Sequence, residues 1–366
     1  MKSERSEKIL YAASSADHLR RFHSEYIAAL EHDGYTVKTL ARGDADFDVP
    51  FEKRIFSPKN LLLIPKIRRI IANGGFCAII LNTSLAAFYV RLACPRKGRP
   101  KIINIVHGYL FSEGERSLGS QLMLTAEKLL RRKTDVIITM NGEDTRLARE
   151  HRLTDGKILK IPGMGARIRA EITPPEAIRQ DFFPKEAYVL TFVGELSKRK
   201  NQRLIIEALK TIKKQIPEAF LCLVGDGKER KHLEILAKRL GLANSVVFVG
   251  ERRDACDFIR ASDLCVSASL SEGLPFNVVE ALGAEKTVIA SDIKGHKDLI
   301  KNGVTGFLFD SNDSESLAET VVKIHTKSPE LSRKAIRKKY SQYEFCSVFP
   351  TVYSVIRSAI KPSKKA

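Results

Sequence analysis

The sequence predicts an α/β protein of two domains, each built on a parallel sheet. Two observations predict it. Short apolar runs alternate with helix-length segments along most of the chain, the pattern of strands buried on both faces beneath helices. That rhythm breaks once, between Pro162 and Pro184, where Pro174-Pro175 and weak apolar periodicity read as an interdomain linker. A chain of 366 residues suits two domains, and 43% hydrophobic residues is ample for their cores.

The elements follow in order. Lys8–Ala13 reads as the first strand, His18–His32 as a helix ending before Gly34, and Tyr35–Ala41 as the second strand. Ala78–Leu81 and Ile102–Val106 are strands flanking a helix through Ala86–Leu92. Leu118–Arg132 is a helix, and Val136–Thr139 and Ile158–Ile161 complete the first set. The second set has strands at Tyr188–Val193, Ala219–Val224, Ser245–Val249, Leu264–Val266, Thr287–Ala290 and Gly306–Phe309. Its helices lie at Gln202–Gln215, Glu229–Leu240, Ala255–Arg260, Val278–Leu282 and Glu315–His325. The expected bounds are 1–170 for the first domain, 171–186 for the linker, 187–340 for the second domain and 341–366 for a terminal helix. Tyr343, Phe345, Phe349 and Tyr353 mark that last helix as aromatic-rich.

Composition excludes several classes. No apolar run approaches the ~18 residues of a membrane span. Met1-Lys2-Ser3-Glu4-Arg5 leads directly into a strand, so no secretory signal is expected. The six cysteines form no CxxC pair, and several sit in apolar runs; a reducing cytoplasm is expected and zinc is not. The formal charge is +19. No zinc-finger spacing or aromatic–basic signature directs that charge to nucleic acid.

The charge is uneven. No acid occurs between Glu52 and Glu113, while Lys53, Arg54, Lys59, Lys66, Arg68, Arg69 and further cations to Lys101 fill the stretch. Within it, Leu61–Ile71 mixes apolar and basic residues at helical spacing. Two readings stand side by side: a helix lying on anionic lipid, or an ordinary domain helix with a solvated basic face.

Candidate chemistry lies at strand ends, where open α/β sheets bind ligands. Ser269-Leu270-Ser271-Glu272-Gly273-Leu274-Pro275 follows a strand, and Glu280 stands at the start of the next helix. The plainer reading is a loop glutamate and a capping glutamate. Gly194-Glu195-Leu196-Ser197-Lys198-Arg199-Lys200-Asn201 places three cations before a helix N-terminus, a good diphosphate site or a solvated basic turn. Gly225-Asp226-Gly227 and Gly250 close two neighbouring strands, and glycine permits close backbone approach to a ligand. Gly250 and its neighbours are positioned to offer backbone polar groups to a nucleobase. Neither a dinucleotide fingerprint nor a Walker loop is present. In the first half, His107 stands just past a strand, the position of a ligand contact. His18 and His23 are weaker candidates, and no histidine pair has metalloprotease spacing.

Together these segments resemble the retaining glycosyltransferases of family four, over nearly the whole chain and most strongly from Tyr188 to Phe309. The carriers are Phe192-Val193-Gly194 with Lys200-Asn201, Val224-Gly225-Asp226-Gly227, Phe248-Val249-Gly250, Ala261-Ser262-Asp263, Ser269–Pro275, Glu280-Ala281 and Asn302-Gly303-Val304-Thr305-Gly306-Phe307-Leu308. The resemblance implies the GT-B fold: two Rossmann-like domains with parallel sheets facing a central crevice, and a terminal helix crossing back to the first domain. It implies roles too. Glu272 and Glu280 match the family's Glu-x7-Glu pattern, facing donor sugar and ribose respectively. Lys200 matches its diphosphate-binding lysine, and His107 its histidine near the reacting centre. Glu195 stands where the family usually has arginine, so Lys198 or Arg199 must supply the second cation. Ala13-Ser14-Ser15-Ala16 replaces the usual glycine pair in the first loop.

The implied reaction transfers a sugar from a nucleotide-diphosphate donor, UDP-linked in the first instance, with no cofactor and no metal. Lys200, neighbouring cations and helix amides would stabilise charge growing on the β-phosphate. The family's retention is ascribed to front-face attack, which casts Glu272 as a sugar-orienting electrostatic residue. The branch resembled builds capsule, exopolysaccharide or lipid-linked glycans, so the implied partners are a polyprenyl-linked or other glycan acceptor and an anionic membrane, with no nucleic acid. The implied location is the cytoplasmic face of the plasma membrane. Two alternatives remain: a sugar-phosphate synthase of the same fold, and a non-catalytic sugar-nucleotide binder. The oligomeric state is left open.

Overall fold

The structure is a computed structural model that describes residues 7–168 and 172–360. The chain divides into two compact units, residues 1–165 with 346–366, and residues 166–345. The boundary expected at 170/171, the segment Met1–Arg5 and the last six residues lie outside the described residues.

In the first unit the described strands are β1 (Lys8–Ser15), β2 (Thr36–Arg42), β3 (Phe47–Asp48), β4 (Phe76–Asn82), β5 (Lys101–Val106), β6 (Val136–Thr139) and β7 (Lys157–Lys160). They form one sheet in the order β3-β2-β1-β4-β5-β6-β7, and every pairing is parallel. The strand order reverses between β1 and β4, which makes the carboxyl ends of these two strands a topological switch point. Ile9, Leu10, Tyr11, Ile79, Ile80, Leu81, Ile102 and Ile103 are fully buried, as the continuous apolar runs require.

Local differences from expectation have physical causes. The helix expected over 18–32 is two, Ala16–Phe22 and Ser24–His32, broken at His23, whose φ of −130° is non-helical. Ser15 caps the first, its Oγ accepting from the His18 amide at 3.3 Å. An additional helix, Gly142–Glu150, carries few apolar residues and therefore gives little periodicity; Asn141 caps it, accepting from the Asp144 amide at 2.7 Å. Over the basic stretch, helix Ile64–Gly74 buries Ile67 and Ile71 against the sheet.

The terminal helix, Phe345–Ile360, packs on the first unit. Val348, Val352 and Ile356 are buried, and the Phe349 and Tyr26 rings lie 5.0 Å apart. Tyr353 Oη donates towards Asp33 Oδ2 (2.7 Å) and the Ala29 carbonyl (2.9 Å), and Arg357 pairs with Asp33 at 2.9 Å.

The second unit has described strands β8 (Tyr188–Val193), β9 (Ala219–Val224), β10 (Val246–Gly250), β11 (Leu264–Ser267), β12 (Thr287–Ser291) and β13 (Phe307–Phe309). Their order is β10-β9-β8-β11-β12-β13, again all parallel, with the reversal between β8 and β11. Most of the segment expected as a linker belongs to this unit. Helix Pro175–Phe182 starts with proline at its first turn, where no amide donor is missed, and buries Ile178 beside Phe258. Arg179 ties it to the Ala261 carbonyl (2.6 Å) and to Asp263 (3.2 Å).

Candidate active site

The carboxyl ends of β8, β9 and β10 are laced by backbone hydrogen bonds. The Gly194 amide donates to Val224 O (2.9 Å), Gly225 to Gly250 O (2.8 Å), and Leu196 to Asp226 O (3.0 Å). Gly225 has φ of +132°, and a Cβ there would lie 2.0 Å from the Gly194 carbonyl oxygen. Only glycine lets these strand ends lie so close. The three glycines predicted at the crest, Gly194, Gly225 and Gly250, therefore occupy one continuous patch of backbone.

The loop after β8 turns through a short 3-10 segment, Lys198–Lys200, into helix Gln202–Ile212. Gln202 is buried and holds the turn, donating to Glu195 O (2.8 Å) and accepting from the Ser197 amide (3.3 Å). The loop then meets the one after β11: the Leu270 amide donates to Arg199 O (2.8 Å), and Arg199 Nη1 to Ser271 O (3.1 Å). The two side chains converge on one acceptor. Lys200 Nζ lies 2.6 Å from Glu272 Oε1, and Arg199 Nη1 lies 2.9 Å from the same oxygen. Lys198 and Glu195 are exposed.

Glu272 is buried, 8% exposed. Burial alone would raise its pKa, but Lys200 and Arg199 outweigh that and hold it below the ordinary glutamate value. The result is an ionised carboxylate in a poorly solvated site, with two cations already gathered. An incoming diphosphate presents more negative charge than one carboxylate, so these cations can turn to it with little rearrangement.

A second layer supports that turn, and the sequence reading missed it. His296, fully buried, sits two elements on, at the start of the short helix His296–Leu299. Its Nε2 is 3.1 Å from Ser267 Oγ and its Nδ1 is 2.8 Å from Ser291 O. Ser291 Oγ donates in turn to Ser269 O at 2.6 Å. Burial drives the His296 pKa down to about 4, so the ring is neutral at pH 7. Gly295, at φ +81°, brings its backbone so close that a Cβ would lie 2.9 Å from the carbonyl oxygens of Glu272 and Gly273. Gly295-His296 just past β12 was the available signal.

Glu280 does not open its helix. The helix runs Phe276–Gly283, starting earlier than the apolar run implied because Pro275 sits at its N-cap, and Glu280 lies past its first turn, half-buried.

In the first unit, His107 follows β5 directly and does not stand alone. His23 Nε2 is 3.2 Å from His107 Nε2, and Tyr11 Oη is 3.1 Å from His23 Nδ1. The His18 ring lies edge-on to His107, with centroids 4.7 Å apart. Burial lowers all three imidazole pKa values, His18 to about 4. Spacing in sequence could not show this trio, because His107 comes 84 residues after His23. Two Asp-x-Asp triplets, Asp44-Ala45-Asp46 and Asp46-Phe47-Asp48, also occur in this unit, but Asp44 pairs with Arg20 (3.1 Å) and the other two carboxylates serve β2 and its turn. Asp46 accepts from Lys38 Nζ (2.7 Å) and the Thr39 amide (2.9 Å), and Asp48 from the Gly43 amide (2.9 Å).

Known proteins resemble this chain in sequence and in fold. Residues 11–163 match the model of Glycosyltransferase Family 4, and residues 175–342 that of Glycosyl transferases group 1. EpsD of Bacillus subtilis, provisionally named a glycosyltransferase, is 31% identical over 343 residues, 90% of either chain. An Escherichia coli UDP-Gal:alpha-D-GlcNAc-diphosphoundecaprenol alpha-1,3-galactosyltransferase is 26% identical over 275 residues, 73% of this chain and 70% of its own. Among solved structures, Anabaena HepE in complex with UDP and glucose superposes with a TM-score of 0.76 at 23% identity, over 96% of this chain and all of its own.

Proposed function

Because the chain belongs to glycosyltransferase family 4, with the GT-B fold, we propose that it transfers a sugar with retention of configuration from a UDP-sugar to a lipid-linked surface glycan. The observation that carries this reading is the pairing of Lys200 and Arg199 on buried Glu272 at the carboxyl end of the second unit's sheet. Two cations held by one carboxylate suit a diphosphate leaving group, whose charge they stabilise as the glycosidic bond breaks. Arg199 takes the place of the missing arginine at Glu195, since its Nη1 reaches to 2.9 Å from Glu272 Oε1. Glu272 orients the donor sugar, Glu280 binds the ribose, and the backbone at Gly194, Gly225 and Gly250 borders the nucleotide. His107 supports the reacting sugar. No metal serves the diphosphate.

UDP as the nucleotide is supported by the Escherichia coli relative's UDP-Gal donor and by the UDP bound to HepE. A diphosphoundecaprenol-type acceptor is supported by the same relative's name. An acceptor of that kind brings the enzyme to the inner face of the plasma membrane. No helix among the described residues is long and apolar enough to cross a membrane. Surface apolar residues of the first unit suit a peripheral role instead. Phe56, Leu61 and Leu62 are exposed beside Lys53, Arg54 and Lys59, and Leu118, Leu122 and Leu129 are exposed on helix Leu118–Leu130. Shallow insertion of such leucines next to cations is the chemistry of an amphipathic helix on anionic lipid.

The experiment is a panel of nucleotide sugars offered to the purified protein with polyprenyl-diphosphate-linked and soluble glycan acceptors. Nucleotide release and the anomeric configuration of the product are read together. Transfer from a UDP-sugar to the lipid-linked acceptor with an unchanged anomeric centre is expected. Nucleotide binding without transfer or hydrolysis would make the chain a binder and end the enzymatic reading.

A further inference from the structure

The histidine trio of the first unit is larger than a sugar contact needs. His18, His23 and His107 come from a loop-capped helix start, a helix break and the end of β5, and each offers one ring nitrogen within 4.8 Å of the others. A neutral imidazole presents one nitrogen lone pair. Two such nitrogens at the 3.2 Å separating His23 Nε2 from His107 Nε2 share either a proton or a metal ion. Tetrahedral zinc, with bonds of about 2.0–2.1 Å, sets its ligand nitrogens about 3.3 Å apart. His18 Nε2 is buried and has no hydrogen-bond partner among the described residues. A proton shared by His23 and His107 leaves that third nitrogen unexplained; an ion among the three accounts for it.

The surroundings are those of a metal ligand set. Metal-binding histidines are oriented through the far ring nitrogen by a hydrogen bond. His23 Nδ1 has that partner in Tyr11 Oη, which is itself fully buried on β1. With a metal on Nε2, Nδ1 keeps its hydrogen and donates to the tyrosine oxygen. No carboxylate shares the set, so the ligands are imidazole nitrogens throughout, which favours zinc, cobalt, nickel or copper over magnesium or calcium.

We propose that His18, His23 and His107 form a binding site for one divalent transition-metal ion, zinc in the first instance. Three protein ligands leave a fourth position open, which takes a water or an oxygen of a bound molecule. The site lies wholly in the first unit, while the diphosphate cations belong to the second; it shares His107 with the sugar contact of the transferase reading, so its test reads metal binding and not turnover.

The test uses the full chain without a histidine tag. After stripping with a chelator, it is titrated with Co2+ while visible d–d absorption is recorded. One Co2+ per chain is expected, displaced by Zn2+. His18→Gln and His107→Gln should abolish the band, and Tyr11→Phe should weaken binding tenfold to a hundredfold, the usual effect of removing an orienting partner. His32→Gln, far along the second helix, should leave it unchanged. X-ray absorption on the zinc-loaded wild type provides a readout that needs no variant: a nitrogen and oxygen shell near ~2.0 Å with the outer-shell scattering of three imidazoles. No stoichiometric band, a band that survives loss of His18 and His107, or a zinc shell lacking imidazole scattering would each overturn the site.

Discussion

Lys200 and Glu272 stand 72 residues apart in the chain, yet their side chains meet at 2.6 Å, each nearly closed to solvent. The contact joins the loop after β8 to the loop after β11, the two strands between which the sheet reverses. Reversal leaves neighbouring loops turning to opposite faces, and a charged pair across the gap fixes their spacing.

Removing Lys200 should therefore harm both stability and turnover. Lys200→Ala leaves a buried carboxylate with half-exposed Arg199 as its remaining cation, and we expect a loss of about 2 kcal/mol. Activity should fall about a hundredfold or more, the scale of removing a charge-stabilising group. Arg199→Ala should cost less in both. Urea unfolding and steady-state kinetics on the two variants give the ranking; equal or reversed losses would move the diphosphate cation to Arg199.

Acid should reveal His296. The unfolded chain protonates a histidine near pH 6.5, while the folded ring stays neutral to about pH 4. Between those values the unfolded state binds the extra proton. The contribution of His296 is thus full above pH 6.5, declines as pH falls, and is lost below about 4, about 3 kcal/mol in all. His296→Gln should remove that contribution from a series of thermal melts at different pH. Identical slopes in wild type and variant would show the ring to be solvated. Glu272 adds a limb further into acid: its depressed pKa means its contribution disappears only below the ordinary glutamate range.

Gly225→Ala and Gly250→Ala separate crowding from backbone strain. The first puts a methyl 2.0 Å from the Gly194 carbonyl oxygen and should cost about 3 kcal/mol or prevent soluble folding. The second meets nothing nearer than Arg230 at 3.6 Å and bears only the cost of φ +85°, about 1–2 kcal/mol. Comparable melting temperatures for the two would contradict the close approach of the strand ends.

Vesicle co-sedimentation addresses the exposed leucines. Binding to anionic but not neutral vesicles is expected, weakened by Leu61→Ser with Leu62→Ser and by Leu118→Ser with Leu122→Ser. Lys66 and Arg68 are poorer targets, since they bond to the Asp48 and Ala93 carbonyls within the fold. Indifference to lipid charge would point to a soluble acceptor.

Alternation of apolar runs was enough to place the long strands, because strands buried on both faces leave continuous Val, Ile and Leu. It failed where burial is slight. Helix Gly142–Glu150 is mostly charged, and the two-residue strand Phe47–Asp48 has no period to detect. The Glu272, Arg199 and Lys200 segments were legible as local motifs, although only the fold brings them together. The role of His296 and the grouping of the three histidines were not, since Ser267 comes 29 residues before His296 and His107 comes 84 residues after His23. The linker reading erred because a proline pair that breaks one pattern also begins a helix well.

The helix Phe345–Ile360 gives the first unit a seam in time as well as in space. The second unit is one uninterrupted stretch, residues 166–345, and has its full sequence once that stretch has left the ribosome. The first unit begins earlier yet waits for residues 346–360, whose Val348, Val352 and Ile356 cover its surface and whose Tyr353 reaches Asp33. The core of the first unit is therefore closed by two stretches of chain that the whole second unit separates, so nothing short of both completes it.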